Sequence, residues 1–189
     1  VALTGGQKLA ARLAQVAAKV HQPQTVQVGF LEGSTYPDGQ SLPMVAAIME
    51  YGGEIHVAAH TAKIYRKLDK DGGFAKGGRF VKKKQADIEQ DVEVPAHTIT
   101  IPPRPFFRRM IAQNQAGWQP QVATLLKQND YDVDKSLNQM GMVIADQLRQ
   151  SIVDFRDPPL APSTVKAKGS DKPLVDTGHM LNSVDYEVK

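Results

Sequence analysis

Ile99-Thr100-Ile101-Pro102-Pro103-Arg104-Pro105-Phe106-Phe107-Arg108-Arg109-Met110 is where the chain turns from sheet to helix. Ile99 and Ile101 fall on one face of a strand and Thr98 and Thr100 on the other. Pro102 and Pro103 end that strand, because neither donates to a ladder and each holds its predecessor extended. Pro105 suits the first turn of a helix, where a missing N–H costs nothing. Phe106 and Phe107 then reach Met110 and Ile111 one turn on. Two adjacent phenylalanines do not easily face one interior, so one of them is expected as an exposed anchor. With Arg104, Arg108 and Arg109 around it, this is the composition of an interface hot spot. The stretch reads as a docking corner, without catalytic chemistry.

Upstream, Leu9, Leu13, Val16 and Val20 make one apolar stripe on a helix predicted over Thr4–Val20, closed by Pro23. Lysines and glutamines interrupt it, so it is not read as a signal peptide. Thr25–Leu31 alternates as a strand, and 33–39 is a turn-rich loop. Ser41 is a plausible cap for a short helix that Pro43 opens and Gly52 stops, with Val45, Ile48 and Met49 as its buried face. Residues 55–94 are the least regular. Lys63–Leu68 and Arg79–Lys84 are expected as hairpin arms around a glycine-dense turn, and glycine with like charge argues for mobility there.

Downstream of the corner, Gly117 is expected to break the helix, with Trp118–Lys127 as a second piece. The strongest helix runs from Asp132 or Asp134 to Phe155, carried by Leu137, Met140, Ile144, Leu148 and Ile152. Asp157-Pro158-Pro159 ends it. In the tail, Ser163 caps a short turn, Asp176 or Thr177 caps another, and Ser183–Val188 is a last strand.

The chain has 189 residues, enough for one domain with a real core. Its 41% hydrophobic and 23% charged composition is that of an ordinary globular protein. No run approaches the roughly 18 apolar residues a membrane span needs. Without cysteine there is neither a disulfide framework nor a thiolate metal site. The net charge of +3 is unevenly spread. Lys63, Arg66, Lys67, Lys70, Lys76, Arg79, Lys82, Lys83 and Lys84 stand against only Asp69 and Asp71, so 63–84 carries +7. A solvated loop is the plain reading of such a run. DNA-backbone contact, with Tyr65, Phe74 and Phe80 interleaved, and an acidic partner protein are the functional ones. Base-specific recognition is not expected, since no recognition helix or zinc module is present.

Asp176-Thr177-Gly178 is the one motif suggesting an enzyme, since aspartic proteases pair two such carboxylates to activate water. Only eleven residues follow Gly178, too few for the remainder of such a site, so the tripeptide is read as a helix cap. His56 and His60 would sit about 13 Å apart along a strand, too far for one ion. These two and His97 are read as surface or interface histidines. No phosphate loop and no serine elbow occur. No catalytic residue, cofactor or metal is therefore expected.

Three places, taken together and in order, are similar to the tail-completion or neck proteins of long-tailed bacteriophages, also described as virion morphogenesis proteins. They are Met49-Glu50-Tyr51-Gly52, Thr98–Arg108, and Leu160–Lys166 followed by Pro173–Ser183. The resemblance spans most of 45–188, excepting the basic insertion. It implies an α+β fold with an antiparallel sheet packed against helices, in a single domain over 1–189. To this the residues add one long helix in the C-terminal half and a basic, glycine-rich, hairpin-like insertion at 55–94. The resemblance further implies a non-enzymatic ring subunit at the head–tail junction of the virion, a hexamer by preference, assembled in the host cytoplasm. Neighbouring neck and tail proteins would be its partners and packaged DNA a non-specific one, with no membrane involved. Tyr51, Arg104, Phe106, Phe107, Arg108 and Arg109 are the expected subunit interface. The nine cations of 63–84 are the expected surface toward DNA or a partner. The alternative reading is a nucleic-acid-binding module acting through 63–84.

Overall fold

The computed structural model describes residues 4–21 and 24–189. In chain order it has α1 (Thr4–Val20), β1 (Val26–Phe30), α2 (Leu42–Tyr51), β2 (Gly53–Val57), β3 (His60–Arg66), β4 (Ile88–Val94) and β5 (His97–Ile101). Then follow α3 (Phe106–Gln128), α4 (Val133–Asp154), α5 (Pro162–Lys168), α6 (His179–Asn182) and β6 (Val184–Val188). The fold is α+β, with antiparallel strand pairs and a long helix in the C-terminal half. The chain divides into two compact units, Val1–Gly52 with Pro102–Lys189, and Gly53–Ile101.

The first unit is built on α4. Asp132 caps it, accepting the Lys135 N–H at 3.0 Å, as its place before an apolar-periodic run foretells. Met140, Ala145, Leu148 and Ile152 are fully buried along it, each large one worth about 1.5–3 kcal/mol of transfer free energy. α3 packs along one side of α4 and the β1–β6 pair along another. In that pair Val28 lies opposite Tyr186 and Phe30 opposite Val184. The Tyr186 ring lies so close to Gly141 that a Cβ there would collide with it, so at this point the approach of β6 to α4 depends on the missing side chain.

Several expectations are corrected. Gly117 does not break α3, which runs through both it and Pro120. Helix-interior Gly and Pro cost about 1 and 3 kcal/mol, but buried Phe106 and Met110, with the Trp118 indole bound to Gln147 at 2.9 Å, hold the helix against α4. The fully buried face of α2 is Leu42, Ala46 and Glu50, while the expected Val45, Ile48 and Met49 are half-buried, Met49 against the same core. Ser41 occupies the N-cap position of α2 without a capping bond. Ser163 lies inside α5 and Ala161 precedes it as the cap residue. Gly178 is the N-cap residue of α6, and the Thr177 hydroxyl beside it accepts the His179 N–H at 3.3 Å. Gly52 does stop α2, at φ 75° with its N–H on the Ile48 carbonyl, a conformation that suits glycine. Pro23, read as the end of α1, lies outside the described residues.

The stripe on α1 forms as expected but is not covered. Leu9, Leu13 and Val20 are 61%, 60% and 46% exposed. What fastens α1 is charge: the Arg12 guanidinium and Lys19 Nζ both reach the Asp130 carboxylate, Lys19 at 3.2 Å.

The second unit is a ribbon of two antiparallel pairs, β2 with β5 and β3 with β4. The ladder partner of 60–66 is therefore 88–94; of the expected pairing between 63–68 and 79–84 only the Arg66–Phe80 bridge forms, with the Val81 N–H on the Tyr65 carbonyl at 2.9 Å. Cross-strand charge explains the choice, since the observed register sets Lys63 opposite Asp91 and Tyr65 opposite Glu89. Pairing with 79–84 would oppose lysine to lysine. In the β2–β5 pair, Ile55 lies opposite Ile99; the two are 48% and 46% exposed.

Candidate functional site

The docking corner is organised by a residue that its own sequence neighbourhood does not single out. Pro105, at the N-cap position of α3, offers no side chain to the orphan N–H groups of the first turn. Glu50, in the last turn of α2 and 5% exposed, supplies what Pro105 cannot. Its carboxylate accepts the Phe107 N–H at 2.9 Å and the Arg108 N–H at 3.1 Å. The same carboxylate accepts Arg108 Nε at 2.8 Å, while an Arg108 terminal nitrogen donates to the Glu50 carbonyl at 3.0 Å. A negative charge there also complements the helix dipole. Arg104 N–H donates to the Met49 carbonyl at 2.7 Å. The places where the chain leaves this unit and returns to it are thus clamped together.

Of the expected interface residues, Phe106 is 1% exposed and packs in the core, its ring edge-on to Phe30. That leaves no surface on it for a partner, because its neighbour in sequence points elsewhere: Phe107 is half-buried, with its ring 3.5 Å from where a Gly29 Cβ would stand. Tyr51 is 68% exposed and carries the Arg108 guanidinium 5.0 Å above its ring. Arg109 lies over Phe155 at 5.8 Å. Arg104 is half-buried, its Nε without a partner, and burial draws its guanidinium below the ordinary value. Between α2 and α3 these side chains frame a groove of about 270 Å³, lined by Phe30, Ala46, Ala47, Tyr51, Phe107 and Ile111 among others. Apolar walls with Arg108 at the rim can seat an apolar side chain from a partner.

The basic segment forms an ordered tip on the second unit. The Arg66 guanidinium lies over both Phe74 and Phe80, at 4.8 and 5.5 Å. Leu68 bridges to Phe74 and Arg66 to Phe80 across the backbone. Asp69 accepts the Asp71 and Gly73 N–H groups at 3.1 and 2.7 Å, and Asp87 the Leu68 N–H at 2.9 Å. Lys63 stands apart from the tip, paired with Glu89; that hydrogen bond, and then its charge, raise the lysine above its ordinary value. The Lys76 side chain lies outside the described residues. Taken whole, the second unit has nine basic side chains against seven acidic ones, a net of +2. The +7 of residues 63–84 is therefore a local property of the tip, offset by Glu54 on β2, Asp87 just before β4, and Glu89, Asp91 and Glu93 on β4.

Asp176, Thr177 and His179 line a basin of about 570 Å³ with Tyr36 and Asp38. His179 Nε2–H donates to the Thr35 carbonyl at 2.8 Å, and Asp38 accepts the Gln40 N–H at 3.2 Å. Burial, then the charges of Asp38 and Asp176, raises the Tyr36 hydroxyl above its ordinary value. These groups hold the loop and the α6 turn. His56 bonds the Thr98 hydroxyl across the ribbon at 2.9 Å, and His60 and His97 each bond a carbonyl two residues back. Among the described residues no group of three His, Asp or Glu side chains is arranged to hold a metal ion.

Compared with family models, curated proteins and solved structures, the chain matches none.

Proposed function

We propose that this chain is a non-enzymatic structural subunit of a phage virion, forming a closed ring around the DNA channel at the head–tail junction. The observation that carries the assembly part is the second unit. A two-stranded ribbon is marginal on its own, and a stable one needs further strands or a packed face. Here the Ile55–Ile99 pair stays about half exposed, and among the described residues β2 and β5 each pair on one edge only. The uncovered stripe of α1 and the groove beside Tyr51 add two further surfaces of different shape on the same chain. Unlike surfaces meeting head to tail generate rings when the rotation closes. The three ordered sequence stretches that resemble neck proteins supply the virion part, and six copies would match the tail.

Removing this chain from an otherwise intact phage tests the proposal. Filled heads and finished tails should accumulate unjoined, and purified chain added back should join them. Infectious particles in ordinary yield without the chain would overturn it.

A further inference from the structure

We propose that the tip of the second unit is a binding site for the phosphate backbone of duplex DNA. This rests on the tip alone and not on the virion assignment. Lys67, Lys70, Arg79, Lys82, Lys83 and Lys84 are all exposed there, and among the described residues none of them is in an ion pair. Of the carboxylates near them in sequence, Asp71 beside Lys70 pairs with none of these cations, and Asp69 and Asp87 are engaged otherwise. Asp69 and Asp87 accept backbone N–H groups and hold the loops in shape.

Arg66 is the positioning residue. Its guanidinium lies between Phe74 and Phe80, so two distant turns of the tip are pinned to one cation. The lysines are thus presented from a framework with its own hydrogen bonds and stacking, which lowers the ordering cost of binding. The charge pattern also limits where a polyanion can lie. Glu89, Asp91 and Glu93 share one face of the strand pair, and Lys63 is engaged by Glu89. Binding is therefore confined to the tip. A repeating phosphate backbone fits a single-sign patch of spaced cations. A protein partner would instead need an aromatic anchor to desolvate; Phe74 and Phe80, 46% and 66% exposed, carry the Arg66 cation over their rings, so the test includes an acidic polypeptide as competitor.

The test is binding of the full-length chain to a labelled duplex of random sequence across a salt series. Log affinity should fall linearly with log salt. Replacing Lys67, Lys82, Lys83 and Lys84 together by glutamine should weaken binding at least about tenfold and flatten the slope by roughly 0.9 for each phosphate no longer neutralised. Arginine at the same four positions should keep both. Glutamine at exposed Lys127, Lys135 and Lys166, outside this unit, should change neither by more than about twofold. Unchanged binding by the four-glutamine variant, or no binding by the wild-type chain at low salt, would overturn the proposal. So would displacement of the duplex by polyglutamate of equal charge as readily as by unlabelled duplex, which would point to an acidic protein instead.

Discussion

Glu50 does two things at once: from the last turn of α2 it caps α3 and pairs with an arginine. The parts are not equal. Arg108 is 57% exposed at its side chain while Glu50 is 6% exposed, so water screens the ion pair from one side and its net worth is modest. The two part-buried backbone N–H groups of α3 bond to nothing else among the described residues, and losing such a cap costs about 1–2 kcal/mol, with more where a donor is left unsatisfied. Glu50→Ala should therefore destabilise the chain by about 2–3 kcal/mol, read as a fall in the urea midpoint without a change in slope. Arg108→Ala should cost less than about 1 kcal/mol. Equal losses in the two variants would mean that the ion pair, not the cap, holds the corner. Little of this is legible at the residue scale, because donor and acceptor lie 57 positions apart. One signal does stand in the sequence. Pro105 opens α3 with no side chain able to cap it, so a carboxylate from elsewhere is needed.

Elements whose pattern is local are legible. The apolar 3–4 spacing marks α1 and α4, and alternation marks β1 and β6, to within a residue or two of their observed ends. The misreadings arise where tertiary contact overrules local preference. Gly117 and Pro120 continue a helix because α4 packs along it. β3 takes β4 as its ladder partner with Lys63 opposite Asp91 and diagonal to Glu89, where a partner at 79–84 would bring further lysines. The signal for that pairing lies in the acidic residues Asp87, Glu89, Asp91 and Glu93, which the basic run overshadows. α1 shows the limit of periodicity, which marks an apolar stripe without saying what covers it. Its tether to Asp130 makes a prediction at this scale. Hydrogen bonds from Arg12 and then Lys19 hold the Asp130 carboxyl below its usual range, so the folded state favours the ionised form. The tether is fully present above the ordinary carboxylate pKa, near 3.8, and is lost as pH falls through the lowered folded value. Amide exchange of α1 should rise in that acid window while that of α4 does not. Asp130→Asn should produce the same change at neutral pH. If α1 exchanges alike in all three conditions, Asp130 does not hold it.

At the scale of the whole molecule, the surfaces left uncovered are those that the proposed ring would bury. An apolar helix stripe, a ribbon with a half-exposed Ile55–Ile99 pair and a groove beside Tyr51 are three separate apolar features on one chain. Scattered exposed apolar residues need no explanation, but contiguous ones mark contacts with other molecules. Copies meeting through such surfaces would hold together without chemistry between them, as a joint between head and tail requires. The most direct measurement is electron microscopy of purified particles in which this chain carries a gold-binding tag. Label at the head–tail junction, on a ring of discrete stoichiometry, is the predicted result. Particles that join normally while carrying no label would contradict the account.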